Sequence, residues 1–311
     1  MILTVTPNPM LDKTIWVSAF AKGAVHRGER LEQVAGGKGL NVARALVGLG
    51  EATLATGFLG GWTGNVIRSL LDEQNIPQQF IEIAATTREG FTFVARDHNE
   101  RTAVFEPGPP LQLHEVDALQ RFVQACLPQC RALALCGSMP SAGFDTLYAN
   151  LIQQAHEARV PVFLDSYLAP FEFGVQAEPQ FLKPNREEAL QTFGLDARKP
   201  EEAKKLFALL KRTSTRGVFI TDAEQPVLAW LHGKSYRITP PRVACRNPLG
   251  GGDVFVAAFL WGWLNKTPDE ELLRFAVAAG SLNAIHDLPG YANLEEVKAL
   301  MREVKLEGLP E

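Results

Sequence analysis

Short apolar runs rich in β-branched and aromatic residues alternate along the chain with longer stretches of helical hydrophobic period. The short runs, at 2–6, 53–58, 132–136, 162–165, 181–183 and 218–221, read as strands. Helical patterns fall between or after them, near 39–49, 64–74, 114–127, 143–156, 186–194 and 200–211. This alternation predicts a mainly parallel sheet covered by helices on both faces. The last third changes character. Strand-like 226–238 is followed by helical stretches at about 252–265, 268–285 and 293–304 with no evident strand between them, which predicts a helical C-terminal flank.

One segment departs from the plan. Residues 91–95 and 101–105 have a two-residue period and flank Asp97-His98-Asn99-Glu100, which reads as a turn. With 16–19 and 30–34 this hairpin can build a small sheet standing off the main body, or it can be an ordinary edge hairpin. With 46% hydrophobic residues and no long linker, the 311 residues suit either one large α/β domain or a domain with a small appendage.

Net charge is −4, so no global basic field exists to hold nucleic acid or an anionic membrane, and an anionic ligand must be gripped locally. The cysteines at 126, 130, 136 and 245 form no CxxC pair, and the six histidines show no HxxxH or HxH spacing, so no metal site is expected from either. The opening Met1-Ile2-Leu3-Thr4-Val5-Thr6 resembles a first strand rather than a signal peptide. The longest apolar stretch, 254–264, falls short of the roughly 18 residues of a membrane span. A cytoplasmic protein is expected.

Three motifs carry candidate chemistry. Asn247-Pro248-Leu249-Gly250-Gly251-Gly252-Asp253 runs directly into an apolar helical segment. Glycines there let a ligand approach unpaired N–H groups at a helix N-terminus, where the dipole favours anions. Asp253 can be a helix cap, or a general base on a hydroxyl whose acceptor phosphate rests against those N–H groups. The second motif, Ala35-Gly36-Gly37-Lys38-Gly39-Leu40-Asn41, is a glycine-rich turn entering a helix; Lys38 can neutralise a phosphate and Asn41 can hold hydroxyls. In Lys183-Pro184-Asn185-Arg186-Glu187-Glu188, Asn185 and Glu188 suit a helix cap as readily as a hydrated Mg²⁺. No GxxxxGK[ST] phosphate loop occurs.

In this order the three motifs resemble the PfkB (ribokinase-like) sugar kinases over nearly the whole chain. Further echoes point to the branch acting on phosphorylated ketohexoses, the 1-phosphofructokinase and tagatose-6-phosphate kinase type: Thr6-Pro7-Asn8-Pro9 with Asp12, Thr87-Arg88, Glu106-Pro107-Gly108-Pro109 and Gly137-Ser138-Met139-Pro140. The resemblance implies a single ribokinase-like domain over 1–311, a Rossmann-type three-layer α/β sandwich with β-sheet lid strands inserted near 12–34 and 88–106. It also implies a sugar phosphate and a nucleotide as ligands, and ATP with Mg²⁺ as donor. It implies homodimers through the lids. By the same likeness, Gly37, Asp12, Asn41 and Ser138 contact the sugar, while Lys38 and Arg88 grip its phosphate. Asp253 with Gly250, Gly251 and Gly252 is catalytic, and Asn185 and Glu188 organise Mg²⁺ through water. Lys183, Asn185, Thr221, Ala279, Gly280 and Asn283 border the nucleotide.

Two positions depart from the family pattern. Where a Ser/Thr-x-Gly-x-x-Gly stretch is usual, this chain has Thr221-Asp222-Ala223-Glu224-Gln225-Pro226, and Leu249 replaces a common threonine. Asp222 and Glu224 are expected to bring negative charge to where ATP lies. Two other readings stay open: a kinase of an unphosphorylated sugar or nucleoside, and a non-enzymatic sugar-phosphate binder with an altered nucleotide site.

Overall fold

The computed structural model describes residues 1–97 and 100–309, so His98 and Asn99 of the expected turn lie outside the described residues. In chain order the strands are β1 (Ile2–Thr6), β2 (Met10–Val17), β3 (Arg30–Gly36), β4 (Thr53–Leu59), β5 (Ile81–Glu82), β6 (Glu89–Ala95) and β7 (Glu100–Phe105). They continue as β8 (Ala132–Cys136), β9 (Val162–Asp165), β10 (Phe181–Leu182), β11 (Gly217–Asp222), β12 (Gln225–Leu231), β13 (Lys234–Thr239) and β14 (Lys305–Leu309). The helices are α1 (Lys38–Gly48), α2 (Gly61–Glu73), α3 (Leu113–Cys126), α4 (Leu147–Glu157) and α5 (Leu168–Gln176). After them come α6 (Arg186–Phe193), α7 (Pro200–Leu210), α8 (Gly251–Leu264), α9 (Asp269–Ile285) and α10 (Leu294–Met301).

The main sheet runs β14-β13-β12-β11-β10-β9-β8-β1-β4-β5, parallel from β5 to β11 and antiparallel beyond. Strand alternation divides its two faces. Ala132, Ala134 and Cys136 pack with α1, α8, α9 and α10, whereas Leu133 and Leu135 pack with α3 to α7 on the other side. The three expected layers follow. Helix α8 is apolar on every side and buried from Asp253 through Leu260, because the sheet, α1 and α9 enclose it. Chain order reverses between β1 and β8, which opens a crevice at their C-terminal ends.

The small sheet, β3-β2-β6-β7, forms as a unit separate from the main one. Its first strand lies earlier than the expected 16–19. Met10–Val17 pairs with both β3 and β6, and its half-buried polar positions at 12–14 hide the strand pattern from hydropathy.

The C-terminal flank needs one correction. The three helices are present with no strand between them, but β14 then adds a last strand to the main sheet, pairing antiparallel with β13. The strand-like 226–238 is a hairpin, turned at His232 and Gly233 with positive φ of 47° and 90°. Helix α4 starts at Leu147 rather than 143, after a turn in which Gly143 has φ 92°. Helix α5, unanticipated, begins at Leu168 with φ 56°.

Candidate active site

The first turns of α1 and α8 meet beyond the ends of β8 and β9. Gly250, at φ 86°, turns the chain into α8, whose first turn has no side-chain cap. Helix geometry therefore leaves the Gly251 and Gly252 N–H groups without intrahelical partners. Helix α9 comes up against this turn at backbone contact: a Cβ on Gly280 would stand 2.8 Å from the Gly251 carbonyl oxygen.

Asp253 is 6% exposed and accepts a 2.8 Å hydrogen bond from Asn41 Nδ2 on its Oδ2. The Asn41 amide has one orientation available, because Arg44 donates to its Oδ1 at 2.8 Å and a guanidinium cannot accept. Arg44, buried in α1, also donates to the carbonyls of Pro289 and Ala35 and to Gln74 Oε1. Burial foremost, then the negative charge of Asp165, pushes the Asp253 carboxyl up to about 7; Lys38, the Asn41 hydrogen bond and Lys183 oppose the shift.

Asp165 ends β9 as a fully buried carboxylate between two ammonium groups, with Lys38 Nζ 2.7 Å from Oδ1 and Lys183 Nζ 2.8 Å from Oδ2. Burial alone would raise its pKa, but the charges of Lys183 and Lys38 outweigh it and hold the carboxyl below the usual carboxylate range. Lys38 also pairs with Glu188 Oε1. Burial would depress the ammonium's pKa, but Asp165, Glu188 and Asp253 together raise it above the usual lysine value. Lys183 reaches the start of α8, where a side chain at Gly252 would meet its Nζ at 3.1 Å.

At the lid side, Asp12 on β2 lies within electrostatic reach of Arg88, which stands just before β6. Arg88 donates to the Asn8 and Glu106 carbonyls, and Asn8 donates to Ser138 Oγ at 3.0 Å. Asn8 Oδ1, Asp12 Oδ1 and Arg88 Nε are buried without a hydrogen-bond partner, a mixture of acceptors and a cationic donor suited to a hydroxylated anion. Burial raises the Asp12 pKa, with Arg88 acting the other way. Gly37, at φ 135°, leaves no room for a side chain, since a Cβ would lie 2.8 Å from Thr6 Cγ2.

The nucleotide-side expectations divide. Asn185 and Glu188 form a reciprocal capping box at the start of α6, each side chain accepting the other's main-chain N–H at 2.8 Å. Asn185 Oδ1 is thus engaged as a cap, while Glu188 keeps Oε1 for a cation. Fully buried Asn283 bonds the Leu249 carbonyl and the Gly290 N–H, both at 2.7 Å, so its amide pins the loop before α8. Ala279 is fully buried and Gly280 packs on Gly251. Thr221 bridges to Asn185 beside a bulge in β11. The expected negative charge of Asp222 is instead compensated by Arg186 at 2.9 Å, and Glu224 is exposed.

Three contributors escaped the sequence reading: Asp165, Arg44 and Arg186. Asp165 alone left a trace, as a carboxylate closing an otherwise apolar strand. Two surface clefts elsewhere, of about 550 and 420 Å³, are lined by other residues, including Lys234 and Arg274 in one and Arg159 and Arg216 in the other.

A family model for the pfkB family carbohydrate kinases matches residues 6–293. The chain belongs to this family. It is therefore a carbohydrate kinase of ribokinase-like fold, a phosphotransferase with an alcohol acceptor, and ATP is the donor of its family. Among solved structures, a Staphylococcus aureus protein provisionally assigned as a phosphofructokinase is 25% identical, with 99% of each chain covered and a TM-score of 0.82. A possible 1-phosphofructokinase from Thermotoga maritima is 23% identical over 100% of both chains, at TM-score 0.90. Phosphofructokinase-2 from Escherichia coli in complex with fructose-6-phosphate is 24% identical over 97% of this chain and 98% of that one, at TM-score 0.86. Among the described residues, no helix of this PfkB kinase is long and apolar enough to cross a membrane.

Proposed function

We propose that this PfkB kinase transfers the γ-phosphoryl group of ATP to the free primary hydroxyl of a ketohexose phosphate: fructose 1-phosphate, tagatose 6-phosphate or fructose 6-phosphate. The observation that carries the reading is Asp253, a buried carboxyl with a pKa near 7 in the first turn of an uncapped glycine-led helix. A base titrating near the working pH accepts a hydroxyl proton most effectively. The N–H groups of Gly251 and Gly252 would receive the transferring phosphoryl's negative charge, with Gly250 fixing their direction.

Each remaining group has a part consistent with its surroundings. Asn41 orients Asp253, and Arg44 orients Asn41. Asp12, Asn8 and Ser138 offer groups for sugar hydroxyls, while Arg88 offers the cation for the substrate's existing phosphate. The small sheet carries Asp12 and would close over the sugar as a lid, excluding water. Its edge strand β7 exposes Val104 and Phe105, which supports association of two copies through their lids.

Hard-oxygen chemistry at Glu188 and Asp165 fits Mg²⁺, which takes one or two carboxylates and fills its shell with water and phosphate oxygens. Among the described residues no group of three or more acidic, histidine or cysteine side chains converges as a metal cage, so the remaining ligands of a bound Mg²⁺ would have to come from water and the nucleotide's phosphates. When bound, Mg²⁺ would neutralise charge on the nucleotide's phosphates.

The test is ADP release from Mg-ATP by wild type and Asp253→Asn against those three sugar phosphates, fructose and ribose. Turnover confined to one phosphorylated ketose and lost in the variant supports the proposal. Turnover only with an unphosphorylated sugar, or none in folded protein, overturns it.

A further inference from the structure

Lys38 opens α1, and its ammonium lies between Asp165 Oδ1 and Glu188 Oε1. The other oxygen of each carboxylate is already engaged: Asp165 Oδ2 faces Lys183, and Glu188 Oε2 accepts the Asn185 main-chain N–H. The two oxygens that converge on Lys38 are therefore the ones left for a second cation. Asp165 is fully buried and Glu188 is 8% exposed, while the Lys38 side chain retains 24% exposure, so the lysine that neutralises this buried pair is itself partly open to solvent.

The two carboxylates depend on Lys38 unequally. Asp165 keeps Lys183 whatever happens to Lys38, whereas among the described residues Glu188 pairs with no cation except Lys38. An uncompensated buried carboxylate is strongly unfavourable, so Glu188 requires some cation at this place. A lysine ammonium is a compact point charge on a flexible stem, able to leave one anion for another at small conformational cost.

We propose that Lys38 is a built-in competitor of the divalent cation: it occupies the space between Asp165 and Glu188 in the free protein and yields it when a phosphate-bearing substrate offers the ammonium another anion. The proposal rests on the reading that this cluster takes Mg²⁺. Lys38 is thus a positioning residue for the metal. Metal binds the free protein weakly, metal and phosphate substrate strengthen each other's binding, and the carboxylates stay neutralised at every stage. A purely structural ion pair would give no such coupling.

The experiment is binding of Mn²⁺ alone to nucleotide-free protein, counted from the free-ion electron paramagnetic resonance signal, for wild type, Lys38→Met, Lys38→Arg and Lys38→Met/Glu188→Gln. Lys38→Met is expected to bind Mn²⁺ about tenfold or more tightly than wild type, a change in affinity of about 1.4 kcal/mol or more. Lys38→Arg keeps the charge and shows no gain, and the double variant loses it. Where Lys38→Met does not fold, Lys38→Gln, whose amide still donates to a carboxylate, carries the same expectation. Equal or weaker Mn²⁺ binding in a folded neutral variant overturns the proposal, as does a gain that survives loss of Glu188. No turnover enters the measurement. Wild type inert on every sugar phosphate but showing this pattern sinks the substrate reading alone, whereas an active kinase without the pattern sinks the competition alone.

Discussion

Asn41 Nδ2 stands 2.8 Å from Asp253 Oδ2, joining the first turns of α1 and α8 across 212 positions of sequence. One glycine-led helix start thereby orients the carboxylate of the other. Because Arg44 can only donate, it fixes the face that Asn41 presents, and three residues from two distant motifs behave as one unit.

Replacing Asp253 by Asn keeps the shape and removes the base. We expect kcat to fall by about 10²–10⁴, the usual share of general-base catalysis. Sugar-phosphate affinity, measured calorimetrically, should stay within about threefold of wild type, since a uniform binding role would have moved affinity instead. Wild-type kcat in this variant would remove Asp253 from the chemistry.

The raised carboxyl has two pH signatures. A base works deprotonated, so log kcat should decline as pH falls below about 7, and Asn41→Leu should move that limb upward because the lost hydrogen bond favoured the ionised form. For stability the sign runs the other way. A folded-state pKa near 7 against an ordinary 3.8 means the folded protein binds the proton more tightly, so Asp253 contributes most in acid and progressively less from about pH 4 to 7. Thermal melts of wild type and Asp253→Asn across that window should show the variant gaining relative stability as pH rises.

Arg88→Met tests the phosphate grip. Loss of a charge-assisted hydrogen bond of about 1.5–3 kcal/mol should raise the KM for the sugar phosphate by about tenfold to a hundredfold. The KM for ATP should move by less than about twofold, on the premise that Arg88 touches no part of the donor. Equal loss for both substrates would point to a general structural role.

Gly280→Ala tests the contact between α8 and α9. The added Cβ would meet the Gly251 carbonyl at 2.8 Å, and backbone must move to admit it. A loss of about 1–3 kcal/mol in denaturant unfolding is expected, with a lower kcat as the α8 turn shifts. Gly308→Ala, where a Cβ meets nothing within 4 Å, is the control and should change neither.

Chain-local physics was enough for much of the site. The glycines at 250 to 252 and the helix that follows depend only on neighbouring residues, as do the apolar runs of β1, β8, β9 and β11. The capping box of Asn185 and Glu188 is equally local, three residues apart. What stayed hidden depends on which strand ends lie side by side. Lys38 finds Asp165 and Glu188 across 127 and 150 residues, and no spacing along the chain encodes those pairings. Strand β14 escaped because an exposed edge strand carries little hydrophobic signal, and Arg44 because a buried arginine on a helix looks like a solvated one until its four acceptors are in place. Local sterics and periodicity thus determine the elements and where an anion can rest. The pKa of Asp253 and the sharing of Lys38 arise only once folding excludes water and brings distant charges within a few ångströms.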